Sequence, residues 1–231
     1  MSNLCQEITL PTTPIQDIHD EQGEIALCIL SAVNVGGLND LSELENICDL
    51  SVRALEQIID YQDYPVKAAE VSTKARRSLG VGYIGLAHYL AKQGHKYSDK
   101  GAWEATDRLS EAFQYYLLRA SNLLAKEKGK CTGFERTKYS DGQLPIDHYK
   151  KDVDKVVPHK QRMAWESLRK DIAKYGLRHS TLSAQMPSES SSVVSNETNG
   201  IEPPRALLSI KKSKKGPLKQ IAPGYPKLTN Y

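Results

Sequence analysis

Short apolar runs that alternate with helical patterns predict an α/β fold with largely parallel strands. Three observations carry that expectation. Ile25-Ala26-Leu27-Cys28-Ile29-Leu30 is a continuous apolar run of the length of a strand buried on both faces. Helical spacing recurs in four later segments, and the short segment Ser180-Thr181-Leu182-Ser183-Ala184 follows the last of them. A chain of 231 residues, 39% hydrophobic and 26% charged, can bury one or two cores around such elements.

The elements follow in order. Pro11-Thr12-Thr13-Pro14 excludes a helix from the opening, so Asn3 to Pro14 is expected to be an extended loop. The polar turn Asp17–Gly23 leads into the apolar strand, and Gly36-Gly37 ends that unit. Asp40 with Glu43 resembles a capping pair. Leu41, Leu44, Ile47, Cys48, Ala54, Leu55, Ile58 and Ile59 then recur at helical spacing until Tyr64-Pro65. A second helix contains Leu86, Ala87, Tyr89, Leu90 and Ala91 and stops at Gly94. The longest runs from about Trp103 to Lys128, with Leu109, Ala112, Phe113, Tyr116, Leu117, Ala120, Leu123 and Leu124 on one stripe and Gly129 at its end. After a polar stretch to Pro158, a fourth helix near Met163–Tyr175 ends at Gly176.

Several classes of protein are excluded. No run approaches the ~18 apolar residues of a membrane span, and Met1–Glu7 lacks the basic start and apolar stretch of a signal peptide, so a cytoplasmic protein is expected. Cys5, Cys28, Cys48 and Cys131 are too few and too far apart for a disulfide scaffold, and none forms a C-x-x-C pair. The six histidines, His19, His88, His95, His148, His159 and His179, show no ligand spacing, so no metal is expected. The net charge of +3 conceals an asymmetry. Arg205, Lys211, Lys212, Lys214, Lys215, Lys219 and Lys227 follow the last acid, Glu202, and leave the rest of the chain at −4. That basic end could hold a polyanion, but Tyr225 and Tyr231 offer little base-stacking surface, and nucleic-acid binding is not expected.

Four groups of residues could carry chemistry. In an extended segment Asn3, Cys5 and Glu7, at i, i+2 and i+4, share one face. They would supply an amide, a sulfur centre and a general base. A small buried cysteine between solvated polar residues fits the same spacing. Cys28, within the apolar strand, is expected to be buried. Gly80-Val81-Gly82-Tyr83-Ile84-Gly85 satisfies G-x-G-x-x-G but follows no apolar strand, so these glycines are assigned to close packing at a helix start. Finally, Met186-Pro187-Ser188-Glu189-Ser190-Ser191-Ser192 precedes Val193-Val194-Ser195, where a helix could open. Its hydroxyls and free amides suit either a phosphate or an ordinary helix cap.

Taken together, Ser2-Asn3-Leu4-Cys5-Gln6-Glu7, Gly23-Glu24-Ile25-Ala26-Leu27-Cys28, Asp60-Tyr61-Gln62-Asp63-Tyr64-Pro65, Tyr115-Tyr116-Leu117-Leu118 and Asn199-Gly200-Ile201-Glu202-Pro203-Pro204-Arg205 closely resemble the large, catalytic subunit of class I ribonucleotide reductase. The run from Trp165 through Gly176-Leu177-Arg178-His179 and Ser183-Ala184 to Pro187 is similar to that family's signature segment. The resemblance implies a ten-stranded α/β barrel of two five-stranded halves with a finger loop through its centre. Residues 1–14 would be the finger, 24–204 the second half-barrel and 205–231 a basic C-terminal segment. It implies that Cys5 is a transient thiyl radical that removes the 3′ hydrogen of the ribose, Glu7 the base on the 3′ hydroxyl and Asn3 the group that orients both. Cys28 would be one of two thiols that reduce the radical intermediate. Pro187, Ser188, Glu189, Ser190 and Ser191 would hold the substrate diphosphate.

The same resemblance implies partners. No cofactor would bind this chain directly. A metal-containing small subunit would supply the radical, thioredoxin or glutaredoxin the reducing power, and the completed subunit would form a homodimer away from membranes. The family's partner for Cys28 lies upstream of Met1, and its radical-passing tyrosine pair and shuttle cysteines lie beyond Tyr231. This chain is therefore expected to reduce ribonucleoside diphosphates only when completed by the other parts. The alternative is a non-catalytic remnant that binds phosphate or nucleic acid through the Ser-rich loop and the basic end.

Overall fold

The computed structural model describes residues 2–3, 5–214 and 216–231 and, at Lys211 and Ser213, the backbone alone. Met1 and Leu4 of the opening motif and Lys215 of the basic end lie outside the described residues, as do the side chains of Lys211 and Ser213. Strand β1 (Ile29–Asn34) pairs in parallel with β2 (Leu79–Ile84), with Ile29 opposite Leu79 and Asn34 opposite Ile84. Helices α1 (Glu43–Tyr61) and α2 (Lys67–Arg76) form the crossover that a parallel pair requires. On the other edge of β2, the Leu79 amide donates to Thr181 O at 2.9 Å and the Val81 amide to Leu182 O at 2.8 Å. Every residue of β2 is buried between these two neighbours.

Helix α3 (Leu86–Lys92) leaves β2 through Gly85, and α4 (Lys100–Lys128) runs back along the core. Leu44, Cys48, Val52, Leu55 and Ile59 of α1, spaced three or four residues apart on one stripe, are buried with Leu109, Phe113, Leu117 and Leu124 of α4 in one apolar cluster. Each fully buried Leu or Ile contributes about 1.5–3 kcal/mol. Helix α5 (Trp165–Tyr175) closes the cluster, with the Trp165 and Tyr115 rings edge to face at 5.3 Å. A short α6 (Glu189–Val194) and the antiparallel hairpin β3 (Leu208–Ser213) and β4 (Gly216–Ile221) complete the order. The architecture is mixed α/β, as expected; among the described residues the strands do not close into a barrel.

Several elements depart from expectation. The apolar run Ile25–Leu30 enters the sheet only at Ile29, because its partner begins at Leu79; the Ile25 amide donates instead to Ala68 O of α2 at 3.2 Å. Nor is β1 buried on both faces, since Leu30 is 47% exposed. The glycine motif is itself a strand: Gly80 and Gly82 lie inside β2, and only Gly85, at φ 85°, plays the expected part at a helix start. Glycine has low strand propensity, and pairing on both edges overrides it here. Helix α1 stops at Tyr61, before Tyr64-Pro65, and Ile58 of its expected stripe is 41% exposed while Val52 is buried. The basic end, for which the sequence predicts no element, carries the β3–β4 hairpin. The stops at Gly129 and Gly176, both at positive φ, fall where expected.

Candidate active site

Ser2 and Asn3 lie back against Gln6–Thr9. Ser2 bridges Thr9 antiparallel, the Gln6 amide donates to Asn3 O at 3.2 Å, and Gln6 takes a left-handed φ of 59°. This corrects the expectation of an extended face, because the prolines at 11 and 14 constrain the chain only beyond the turn. Asn3 and Glu7 meet because the chain reverses, with Asn3 Nδ2 donating to Glu7 Oε1. Cys5 stands exposed at the tip of the turn with a free thiol. Below it, Ile8 and Leu10 pack on Ala184, Ala26 and Cys28.

A cavity of about 440 Å³ opens beside this turn and is lined by Asn3, Ile8, Leu10, Glu24, Ala26 and Cys28. Cys28, half-buried, sits just before β1. Burial and, secondarily, the negative charge of Glu7 push its thiol up to about 12. It is therefore protonated at neutral pH, a hydrogen donor and not a nucleophilic thiolate. Glu7 Oε2 is buried with no hydrogen-bond partner among the described residues, so the carboxylate keeps spare capacity to accept a proton. Beneath the thiol lies Gly80, where an added Cβ would come within 2.8 Å of Cys28 Sγ. Sequence reasoning missed that role, and the alternation of Gly80 and Gly82 on one strand face was the available signal.

Helix α6 opens at Glu189, four residues before the expected start at Val193, because Ser188 precedes it and the Ser192 amide already donates to Ser188 O at 2.9 Å. Ser190 and Ser191 thus lie in the first turn, whose amides have no intrahelical acceptor. Pro187, Glu189, Ser190 and Ser191 are exposed, and Ser188 is buried with its amide on Asn199 Oδ1 at 3.1 Å. The loop leaves the sheet near the C-terminal end of β2, where Gln185 Nε2 donates to Tyr83 O at 2.8 Å. Cys28 stands at the opposite, N-terminal end of β1. The structure thus sets Asn3 and Cys28 on one cavity with Glu7 held to Asn3 at its edge, leaves Cys5 at the open tip, and sets residues 187–191 outside that cavity's lining.

A second polar cluster was not anticipated. Glu56 is fully buried and accepts from Arg77 Nε at 2.8 Å, Arg178 Nε at 2.7 Å and His179 Nε2 at 3.0 Å. Ser121 Oγ lies 2.9 Å from His179 Nδ1, so a neutral imidazole donates to Glu56 and accepts from the serine. Glu56 lies among helical residues and Arg77 closes α2 in a left-handed conformation; nothing local in the sequence pairs them.

The profile described as "Ribonucleotide reductase, barrel domain" matches residues 1–229. The chain is 60% identical over 227 residues to the ribonucleoside-diphosphate reductase subunit alpha of Haemophilus influenzae, covering 98% of this chain and 30% of that protein. It is 56% identical over 227 residues to the ribonucleoside-diphosphate reductase 1 subunit alpha of Escherichia coli K12, with the same two coverages. Against the subunit alpha of Enterobacteria phage T4 it is 45% identical over 224 residues, 96% of this chain and 29% of that protein. The chain therefore spans about 30% of the length of these relatives.

Proposed function

The chain belongs to the ribonucleotide reductase barrel-domain family, and from that premise we propose that it forms part of the catalytic subunit of a ribonucleoside-diphosphate reductase. In this reading residues 1–14 are the finger, 24–204 the second half of a ten-stranded barrel and 205–231 a basic extension. Cys5, as a thiyl radical, takes the 3′ hydrogen of the ribose: a C–H bond breaks and the Cys5 S–H bond forms. Glu7 accepts the proton of the 3′ hydroxyl while Asn3 holds Glu7 and the substrate. The 2′ oxygen leaves as water. Cys28 and a second thiol outside this chain join as a disulfide and release two electrons and two protons. One proton leaves with the 2′ oxygen and one hydrogen takes that oxygen's place at C2′. Glu7 then returns its proton to the 3′ oxygen and Cys5 its hydrogen to C3′. Pro187, Ser188, Glu189, Ser190 and Ser191 hold the diphosphate through first-turn amides and hydroxyls, with the Glu189 carboxylate turned away.

The observation that supports this most is the pairing of Glu7 with Asn3, which shares a cavity with Cys28, together with the raised Cys28 thiol that feels the Glu7 charge. A carboxylate and a thiol in that relation suit a proton acceptor beside a hydrogen donor. The proposed partners are the remaining parts of the large subunit, a metal-containing small subunit that supplies the radical, thioredoxin or glutaredoxin as reductant, and a second completed subunit in a homodimer. The proposed setting is the cytoplasm, whose reducing pool keeps Cys5 and Cys28 free; no described helix is long and apolar enough to cross a membrane. The test is a completed enzyme given substrate deuterated at C3′. Cys5→Ser should abolish abstraction of the deuterium, Cys28→Ser should permit it and block product, and Cys48→Ser should permit both. Abstraction by the Cys5 variant, or a stall in the Cys48 variant, overturns the assignment.

A further inference from the structure

Glu24 belongs to none of the roles above, yet it stands where the finger joins the body. Its backbone forms both hydrogen bonds of a bridge to the finger, with the Glu24 amide donating to Thr13 O at 2.9 Å and the Thr13 amide to Glu24 O at 3.3 Å. Its side chain points the other way, into the body. There Arg76 Nη2 donates to Glu24 Oε2 at 2.6 Å, with the two side chains only 7% and 8% exposed, and Arg136 Nη2 approaches Oε1 at 3.5 Å. Arg76 is itself held, its carbonyl accepting from the Ser180 amide at 2.9 Å. Beside the bridge, Gly23 meets Ile15 so closely that an added Cβ would lie 2.4 Å from Ile15 Cγ2. Four residues after Glu24 comes Cys28, on the same cavity wall. An apolar pair could bury equal area, but two charges that must meet in one geometry fix a register.

We propose that Glu24, through its buried pair with Arg76, is a positioning residue that sets where the finger lies on the Cys28 wall, and so keeps Glu7 beside that thiol. The inference rests on the site reading above, but its test requires no turnover. In the 231-residue chain, each cysteine is alkylated with iodoacetamide across a pH series and followed by mass spectrometry. Wild-type Cys28 should react slowly until the pH approaches its raised value. In Glu24→Gln the two guanidiniums lose their carboxylate and the finger lifts. Cys28 should then alkylate roughly tenfold faster at about pH 9, its profile shifted towards that of an ordinary thiol near 8.5, while Cys48 and Cys131 stay protected. An unchanged Cys28 rate and profile overturns the proposal. Should Glu24→Gln also expose Cys48 and Cys131, Thr13→Pro decides. It removes one bridge donor without touching the buried charges; selective opening of Cys28 supports the anchor, and wild-type behaviour overturns it. Normal product formation by Cys28→Ser in the completed enzyme would instead sink the catalytic reading and leave the anchor standing.

Discussion

At Glu56 both carboxylate oxygens are held, Oε2 by Arg77 and His179 and Oε1 by Arg178. At Glu7 one oxygen accepts from Asn3 and the other has no partner among the described residues. The first carboxylate is fully buried between α1 and the 177–180 segment, and the second sits on a turn whose neighbours Asn3 and Cys5 are exposed. Complete satisfaction immobilises a charge and makes it a joint of the fold. Spare acceptor capacity beside a protonated thiol leaves a charge able to take part in chemistry. Both clusters contain an acid and groups that could react, so residue types alone do not separate a scaffold from the proposed site.

The sharpest way to break this contrast is Glu56→Ala. It would leave Arg178 and His179 without their carboxylate in the interior and Arg77 with only the half-exposed Asp60, 2.7 Å from its Nη2. A loss of about 3–5 kcal/mol is expected, read from urea denaturation followed by circular dichroism. A loss below about 1 kcal/mol would mean that the buried cluster is no more structural than the finger.

Acid should weaken the same joint in two stages. Burial holds His179 below its ordinary value of 6.5 against the opposing pull of Glu56. Its proton is thus bound more tightly in the unfolded chain, and stability should start to fall as the pH drops below 6.5. For Glu56 burial favours the neutral acid, but hydrogen bonds from His179, Arg77 and Arg178 outweigh it and hold the carboxyl at about 2. That stability is present above the unfolded value of 4.5 and should be lost as the pH falls from there towards 2. Urea midpoints measured from neutral pH down to about pH 3 test both stages, and a flat profile between 7 and 5 would count against the His179 stage.

The smallest effect on stability belongs to Glu7→Gln, which keeps an acceptor for Asn3 and removes a charge from a half-exposed turn. We expect about 0.5 kcal/mol or less. In the completed enzyme the same change should slow turnover by roughly 10²–10⁴-fold, the usual loss when a general base is removed. A large fall in stability with unchanged turnover would move Glu7 into the class of Glu56.

Helices α3, α4 and α5 were legible from the chain alone, because 3.6-residue periodicity and the stops at Gly94, Gly129 and Gly176 act over a few residues. So were the residue types at Asn3, Cys5, Glu7 and Cys28, and the family they resemble. Strand β2 was not legible, since Gly80 and Gly82 argue locally against a strand and pairing with β1 on one edge and Thr181–Ala184 on the other outweighs them. The reversal that brings Asn3 to Glu7 and the meeting of Glu56 with Arg77, Arg178 and His179 were likewise closed to local reading. Periodicity and caps are written into neighbouring residues. The partner of a strand edge or a buried carboxylate is 21 to 123 residues away and is chosen only when the chain packs.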